Sequence, residues 1–289
     1  MTHMLVLTAA QGKLDDASVS AAADTTGVAP HWLSPGTACE FRTQDPEILA
    51  HVRRRLIDTP VDANIIAVAD RRKRLLVADM DSTIINCECI DEIAGFAGIK
   101  PQIAAITERA MRGEIEFEGA LKERVGLLKG QPEAILDEVM QKRIRLNEGA
   151  RILVTTMAGT GAITALVSGG FTWFTSRVAR LAGFAHDRAN ILEVEAGHLT
   201  GTVREPILGR EAKRQSLLDL ATANGIPLAE TMAIGDGAND LDMIRASGLG
   251  IAYRAKPVVA EAAHARLDHS DLSAALYLQG YRETELVLA

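Results

Sequence analysis

The sequence predicts an α/β protein whose main part is a doubly wound parallel sheet. A helical segment is inserted into this sheet, and a small α+β unit of ferredoxin-like topology precedes it. Two observations predict the sheet: short apolar strands alternate with helical patterns, and each strand runs into a polar loop that contains glycine or carboxylates. The 289 residues are enough for one large domain or two unequal ones.

Residues 1–70 alternate between strand and helix patterns. In chain order the segments are an apolar strand at Leu5–Ala9, a helix of small residues at Asp15–Thr26, a hairpin of His31–Leu33 with Ala38–Phe41, an amphipathic helix at Glu47–Ile57 and a β-branched strand at Ala63–Ala69. The order strand-helix-strand-strand-helix-strand is that of a small ferredoxin-like unit. We therefore expect residues 1–70 to form a separate domain.

The next distinct region, from about residue 86 to 147, is helical in pattern almost throughout. Its apolar residues recur at helical spacing in three groups, which are Cys89, Ile93 and Phe96, then Phe117, Leu121 and Val125, then Ile135, Leu136, Val139 and Met140. Pro101 and Pro132 stand where helices can begin, and Gly98 and Gly130 where they can end. We expect a helical cap here.

The sheet strands surround this cap and define a second domain over residues 71–289. Leu75–Ala78 leads to Asp79–Thr83, Ile163–Val167 leads to Ser168–Gly170, and Thr231–Ile234 leads to Gly235–Asp240. In open parallel sheets, ligands bind at the carboxyl ends of the strands. All three polar loops follow such ends, so the sequence predicts one site built from them.

Composition narrows the class of protein. Lys and Arg number 31 against 38 Asp and Glu, a net charge of −7, which disfavours a nucleic-acid-binding role. No apolar run reaches the roughly 18 residues of a membrane span, and the N-terminal segment has no basic region ahead of its apolar run. Three cysteines suit a reducing compartment better than a disulfide framework. We expect a cytoplasmic protein that acts on a small molecule.

Asp79 and Asp81 flank Met80 where an apolar strand ends. In extended backbone, residues i and i+2 project to one side, so both carboxylates can face one ligand. Two neighbouring carboxylates need a cation, a proton or separate roles to coexist. An acidic loop that merely caps a helix would have the same residues.

A second acidic loop contains Asp236, Asn239 and Asp240. Gly235 and Gly237 permit positive φ and close approach of the backbone to a ligand. Oxygen ligands, carboxylates above all, suit a hard cation such as Mg²⁺. A simple Gly-Asp-Gly turn is the alternative, but two acidic loops on neighbouring strands favour a metal site.

Two further features suit an anion. Ser168 and Gly169 supply a hydroxyl and unhindered backbone N–H groups ahead of a helix, although Ser-Gly-Gly turns are also frequent without a ligand. Lys213 lies early in a predicted helix, where the macrodipole disfavours a cation and a phosphate partner would explain it. Spacing alone does not distinguish Lys213 from its neighbours Arg210 and Arg214.

Together these groups predict phosphoryl transfer, because a phosphate dianion repels a carboxylate nucleophile unless cations neutralise it. The sequence has no Gly-x-Ser-x-Gly elbow, no phosphate-binding Gly-x-x-x-x-Gly-Lys loop and no Gly-x-Gly-x-x-Gly fingerprint. Cys87 and Cys89 lack the second pair of a zinc site, which favours buried small hydrophobic side chains.

The four motifs, in their order, resemble those of the haloacid dehalogenase-like hydrolases. They are Asp79–Thr83, Ser168–Phe171, Lys213 and Gly235–Asp240. Asn86–Ala94, Met111–Glu114 and the stretch from Phe117 to Leu128 are similar to the corresponding parts of the phosphoserine phosphatases within that superfamily. The resemblance spans roughly residues 74–280. Residues 1–70 are similar only in element order to the regulatory amino-acid-binding unit of bacterial members.

The resemblance implies a role for each matching residue. Asp79 would be the nucleophile that forms an aspartyl-phosphate, and Asp81 the general acid and base. Asp79, the backbone carbonyl of Asp81 and Asp236 would hold Mg²⁺, with Asp240 in support. The phosphoryl group and the amino-acid part of the substrate would be held by six residues: Ser168, Gly169, Lys213 and Asn239 for the former, Glu88 for the ammonium and Arg124 for the carboxylate.

The activity that the resemblance implies is hydrolysis of O-phospho-L-serine to L-serine and phosphate, the last step of serine biosynthesis. Two alternatives stay open. A relative could transfer phosphate to another small alcohol such as homoserine, or the chain could be a non-catalytic amino-acid sensor that works through residues 1–70. For residues 1–70 we expect dimerisation or regulation, so a homodimer is one expected state.

Overall fold

The computed structural model describes residues 2–112 and 114–288. Gly113, part of the Met111–Glu114 segment, lies outside the described residues. Within the described ranges the strands form a four-stranded, a six-stranded and a two-stranded sheet. The predicted fold class is confirmed. In the same ranges, no helix combines the length and the hydropathy that crossing a membrane requires.

The first six elements form the four-stranded antiparallel sheet and its two helices. They are β1 (His3–Ala9), α1 (Asp16–Thr26), β2 (His31–Ser34), β3 (Ala38–Thr43), α2 (Ile48–Arg55) and β4 (Val61–Ala67). The strand order β2-β3-β1-β4 is ferredoxin-like, as expected. Helix α1 begins where the Asp15 carboxylate accepts the Ser18 N–H at 2.7 Å. Strand β4 ends at Ala67, two residues before the predicted end, because its partner β1 has its last paired residue at His3.

Strand β5 (Leu75–Ala78) then leads into the helical insertion. The insertion consists of α3 (Cys89–Phe96), α4 (Lys100–Met111), α5 (Phe117–Gly126) and α6 (Ala134–Lys142). Its apolar faces pack together through buried residues that include Ile93, Leu121, Val125 and Val139. The periodicity therefore predicted α3, α5 and α6 correctly, because each buries one stripe against its neighbours; for α4 the only signal was Pro101, which lies at its start.

The remaining strands complete the parallel sheet and add a hairpin. In chain order the elements are α7 (Ala150–Gly159), β6 (Ile163–Phe171), α8 (Thr172–Ala182), β7 (His186–Asn190), the hairpin β8 (Leu192–Glu195) and β9 (His198–Val203), α9 (Arg210–Ala223), β10 (Thr231–Gly235), α10 (Leu241–Ala246), β11 (Leu249–Tyr253), α11 (Pro257–Ala262), β12 (Ala265–Leu267) and α12 (Ala274–Leu278). The order is β12-β11-β10-β5-β6-β7, with every pair parallel. Strand β5 therefore lies between β10 and β6.

One predicted boundary is wrong. We expected Ser168–Gly170 to form a loop after the strand, but β6 continues through these residues to Phe171. The pairing of β6 with β7 is irregular here, since Val167 pairs with Arg188 and Phe171 with Asn190. Three residues of β6 thus lie opposite one residue of β7. This bulge extends the strand while releasing its backbone groups for other contacts.

The two sheets contact each other through side chains at their edges. Asn64 on β4 donates to the carbonyl of Arg266 at 2.9 Å and accepts its N–H at 2.9 Å, which extends the pairing from β4 to β12. The buried Asp62 carboxylate accepts the N–H groups of Asp268, His269 and Ser270. These contacts hold residues 1–70 against the far edge of the parallel sheet.

Candidate active site

The carboxyl ends of β5, β6 and β10 meet at one edge of the sheet, beneath the helical insertion. A cavity of about 410 Å³ lies between them. Its polar and charged lining residues are Asp79, Asp81, Ser82, Glu88, Asp91, Thr107, Arg124, Ser168, Asp236, Asn239 and Lys256. Eight of the ten sequence-predicted site residues line this one cavity. The other two lie beneath its wall: Lys213 contacts Asp79, and Asp240 contacts Lys213.

Asp79 and Asp81 both face the cavity while Met80 is fully buried. The alternation follows from extended backbone at both positions, with φ/ψ of −69°/156° at Asp79 and −65°/135° at Asp81. The next residue, Ser82, adopts the left-handed conformation with φ 58°. This turn reverses the chain directly after the second carboxylate, so both acids stay at the strand end.

The carboxylate of Asp79 is buried and held on one oxygen. Its Oδ1 accepts hydrogen bonds from Lys213 Nζ at 2.6 Å and from the Met80 N–H at 2.8 Å. Oδ2 has no hydrogen-bond partner among the described residues. Burial, and then the neighbouring charge of Asp240, raise the pKa of Asp79 well above its ordinary value, against the effect of Lys213. Neutralising this carboxylate fully therefore requires more positive charge than Lys213 supplies.

Lys213 bridges two carboxylates. Its Nζ lies 2.6 Å from Asp79 Oδ1 and 2.6 Å from Asp240 Oδ1. Burial lowers the pKa of Lys213, but the two carboxylates, Asp240 first, outweigh it and raise the pKa above the ordinary value. The ammonium is therefore held charged in the first turn of α9, and the ion pairs offset the unfavourable helix dipole there.

Asp240 supports the site from below. Its Oδ2 accepts the N–H groups of Asp236 at 3.2 Å and Gly237 at 3.0 Å, and its Oδ1 is bound to Lys213. The expectation of positive φ at Gly235 and Gly237 is wrong, since neither adopts it. Both positions exclude a side chain for lack of space instead: a Cβ at Gly235 would meet the Asp240 carboxylate, and one at Gly237 would meet Asn239 Oδ1.

The carboxylates suit a divalent cation. Oxygens of Asp79, Asp236 and Asp240 all lie within 4.8 Å of one another. Burial raises the pKa of Asp236, and Asp240 adds to that, although the Thr83 hydroxyl donates to Asp236 Oδ1 at 2.9 Å. One ammonium balances one of the three charges and leaves two negative charges for a cation. Since both oxygens of Asp240 already have partners, Asp79 and Asp236 offer the free ligand atoms.

Ser168 and Asp81 connect the ends of β6 and β5. The Ser168 hydroxyl donates to Asp81 Oδ2 at 3.0 Å and accepts the Gly170 N–H at 2.8 Å. Asp81 Oδ1 accepts the Cys89 N–H at 2.8 Å, which ties the first turn of α3 to the same carboxylate. Both oxygens of Asp81 are thereby oriented, one by a side chain on β6 and the other by the backbone at the start of α3.

The helical insertion contributes two opposite charges to the cavity. Glu88 accepts a hydrogen bond from the Ser82 hydroxyl at 2.6 Å. Desolvation of the Glu88 carboxyl, and then the charge of Asp81, raise its pKa to about 7. Arg124 Nε donates to the Ala120 carbonyl at 3.1 Å. Burial lowers the pKa of Arg124, against the charges of Asp91 and Glu88. Such a pair suits a zwitterionic ligand.

Sequence reasoning missed several residues of the site. Thr83 holds Asp236, Lys256 lines the cavity beyond the end of β11, and the Phe117 ring packs on Gly169, where a Cβ would lie 3.0 Å from its Cζ. The apolar run Leu249–Tyr253 followed by polar residues was a usable signal for Lys256, because it marks a further strand end. Thr83 ends the first motif and Phe117 belongs to the predicted cap, but no sequence signal indicated their contacts with Asp236 and Gly169.

Comparison with known proteins relates this chain to one family of hydrolases. A family model described as haloacid dehalogenase-like hydrolase matches residues 76–245. A phosphoserine phosphatase from Streptomyces coelicolor is 44% identical over 260 residues, which cover 88% of this chain and 63% of that protein. The chain thus spans less than two thirds of the length of this relative.

Solved structures support the same relationship. A HAD family hydrolase from Salmonella enterica serovar Typhi has a TM-score of 0.86 at 31% identity, covering 96% of this chain and 98% of the other. A phosphoserine phosphatase solved as a phospho-aspartyl intermediate analogue has a TM-score of 0.66 at 39% identity, covering 71% of this chain and 98% of the other. The Salmonella match extends over the four-stranded sheet as well as the cavity-bearing part.

Proposed function

This chain belongs to the haloacid dehalogenase-like hydrolases, and we propose that it is a Mg²⁺-dependent phosphatase that hydrolyses O-phospho-L-serine to L-serine and phosphate. One observation carries the proposal. A single cavity is lined both by paired carboxylates beside a buried lysine and by the opposite charges of Glu88 and Arg124. The first set suits a phosphoryl group and the second suits the ammonium and carboxylate of an amino acid.

Asp79 is the nucleophile in this proposal. One oxygen of its carboxylate attacks phosphorus while the bond from phosphorus to the serine oxygen breaks, and the other oxygen is the one that would bind the metal ion. Lys213 and the Met80 N–H hold Oδ1 and fix the carboxylate plane. The product of this step is an aspartyl-phosphate on Asp79, and a water molecule then attacks its phosphorus to release inorganic phosphate.

Asp81 moves the proton in both steps. It donates a proton to the departing serine oxygen and then takes one from the attacking water, so the enzyme returns to its starting state. The hydrogen bonds from Ser168 and Cys89 support this role because they fix the direction of the carboxylate. Ser168, Gly169 and Asn239 contact the phosphoryl oxygens, aided by the positive charge of Lys213.

The Asp79 and Asp236 carboxylates and the Asp81 carbonyl would hold the metal ion. An all-oxygen donor set with excess negative charge suits Mg²⁺. When bound, Mg²⁺ neutralises charge on the phosphoryl group and lets a carboxylate approach it. Asp240 and Thr83 act indirectly: the first orients the loop of Asp236 through backbone N–H groups, and the second bonds its carboxylate.

The domain organisation belongs to the same proposal. Residues 1–70 form a regulatory-type domain, residues 71–289 form the phosphatase domain, and about 86–147 form its cap. A homodimer through residues 1–70 and a cytoplasmic location complete it; the three free cysteines, Cys39, Cys87 and Cys89, suit a reducing compartment. Light scattering of the whole chain with and without L-serine tests dimerisation, and a monomer under both conditions would contradict it.

Phosphate release from a panel of phosphorylated metabolites, with and without Mg²⁺, tests the activity. We expect phosphoserine to give the highest kcat/KM and chelation by EDTA to abolish turnover until Mg²⁺ is restored. Adding acceptor alcohols such as homoserine separates hydrolysis from transfer. Serine binding by a chain that hydrolyses no ester would favour the sensor alternative.

Asp79→Asn tests the chemistry. The variant should keep its fold and lose at least about 1,000-fold in kcat, because amide oxygen is a poor nucleophile. Beryllium fluoride or a labelled ester should mark the wild-type side chain and leave the variant unmarked. Near-normal kcat in folded Asp79→Asn would refute the assignment of the nucleophile.

A further inference from the structure

Asn190 is a buried amide at the end of β7 that belongs to none of the motifs. Its side chain joins two segments of the site that are far apart in sequence. Nδ2 donates to the Gly169 carbonyl at 2.8 Å and to the Leu208 carbonyl at 3.2 Å, while Oδ1 accepts the Leu208 N–H at 2.6 Å. The residue is 2% exposed. Since one end faces two carbonyls and the other an N–H, the partners fix the orientation of the amide.

The bulge in β6 explains why Gly169 needs this partner. The regular pairing between β6 and β7 stops at Val167 and resumes where Phe171 lies opposite Asn190. The Gly169 carbonyl falls inside the interrupted stretch, and the Asn190 side chain supplies its hydrogen bond. The amide thus replaces a missing backbone donor and holds the bulge in one conformation.

The second segment leads directly to the buried lysine. Leu208 and Gly209 precede α9, and Lys213 in the first turn of that helix contacts Asp79. Asn190 therefore fixes the distance between the backbone at Gly169 and the start of the helix that carries the ammonium. The Phe117 ring packs against both Gly169 and Gly209, so the contact surface for the cap depends on the same connection.

We propose that Asn190 is a positioning residue that holds the phosphate-binding backbone at Ser168–Gly170 in register with the helix of Lys213. The inference rests on the proposed function for the identity of the phosphoryl ligand. Loss of the amide should therefore weaken binding of the phosphoryl group of any phosphate ester, because both connected segments contact that end of the substrate. The amino-acid end is served by other residues.

Asn64 offers a matched control. It is fully buried and also makes three side-chain hydrogen bonds, with Nδ2 donating to the Arg266 carbonyl and Oδ1 accepting the Arg266 N–H and Arg53 Nη2, but it lies between the two sheets. Asn64→Ala and Asn190→Ala each remove three side-chain hydrogen bonds of a buried amide. A purely structural role for Asn190 would make the two variants alike in every kinetic respect.

The experiment measures kcat and KM on phosphoserine and on p-nitrophenyl phosphate, the inhibition constant of inorganic phosphate, and the melting temperature of each whole-chain variant. For Asn190→Ala we expect kcat/KM to fall about 10- to 100-fold by the same factor on both esters, with phosphate inhibition weakened about tenfold. Asn190→Asp should be worse, because a carboxylate oxygen would face the two carbonyls. Asn64→Ala should lower the melting temperature and leave kinetics within about twofold of wild type.

Kinetics within about twofold of wild type in folded Asn190→Ala and Asn190→Asp would overturn the proposal. If Asn190→Ala does not fold, Asn190→Ser provides the comparison, since its hydroxyl can donate to one carbonyl and should give an intermediate loss. Wild-type turnover of the aryl ester without turnover of phosphoserine would overturn the proposed substrate and leave the Asn190 comparison valid on the aryl ester.

Discussion

Replacing Arg124 by alanine separates recognition of the amino acid from the chemistry on phosphorus. The only described hydrogen bond of its guanidinium is that from Nε to the Ala120 carbonyl, so the terminal nitrogens are available to a substrate carboxylate. The side chain lines the cavity and is half-buried, which limits screening by water. Loss of this charged contact should cost about 2–4 kcal/mol of transition-state binding.

That free energy corresponds to a fall of about 30- to 700-fold in kcat/KM for phosphoserine, at about 1.4 kcal/mol per factor of ten. Hydrolysis of p-nitrophenyl phosphate, which lacks the amino-acid part, should change little. The assay compares both esters under initial-rate conditions.

Arg109→Ala is the matched control. Arg109 lies on the neighbouring helix α4 and makes exposed ion pairs with Glu123 and Glu114 away from the cavity, so its loss should affect neither ester. Equal losses on both esters in Arg124→Ala would refute the role of this residue in binding the carboxylate.

Two other predictions concern pH and stability. The pKa of Glu88 is raised to about 7, so lowering the pH below 7 protonates the carboxyl and removes the charge that binds the ammonium. The ratio of kcat/KM for phosphoserine to kcat/KM for p-nitrophenyl phosphate should therefore fall at low pH. Glu88→Gln should make this ratio independent of pH, and the same pH dependence in wild type and variant would contradict the role of Glu88. Asp62→Ala leaves three backbone N–H groups of residues 268–270 without their acceptor, so urea unfolding should show a free energy of unfolding lower by about 3 kcal/mol. Asp62→Asn keeps one acceptor oxygen and should lose less. Equal stability of wild type and Asp62→Ala would show that this contact does not hold the two sheets together.

The helices and strands were largely predictable because their signals are local. The periodicity of Phe117, Leu121 and Val125 gave a helix that the structure contains, and the four-stranded sheet has the predicted order of elements. The bulge of β6 was not predictable, since Ser168–Gly170 have the composition of a turn. Whether such a segment continues a strand depends on the partner strand β7 and on Asn190. Both lie outside the local sequence window around Ser168–Gly170, so a local pattern does not report them.

The sequence by itself determined that carboxylates and a serine lie near the carboxyl ends of neighbouring parallel strands and that a lysine lies early in a helix, because strand and helix patterns and motif order can be identified along the chain. Only the tertiary structure decided how they share charge. Lys213 engages Asp79 and Asp240 at once, and both oxygens of Asp240 are occupied by protein donors. The physical reason is that buried charges must be balanced by whichever groups the fold brings within contact distance, and these come from β5, α9 and the end of β10.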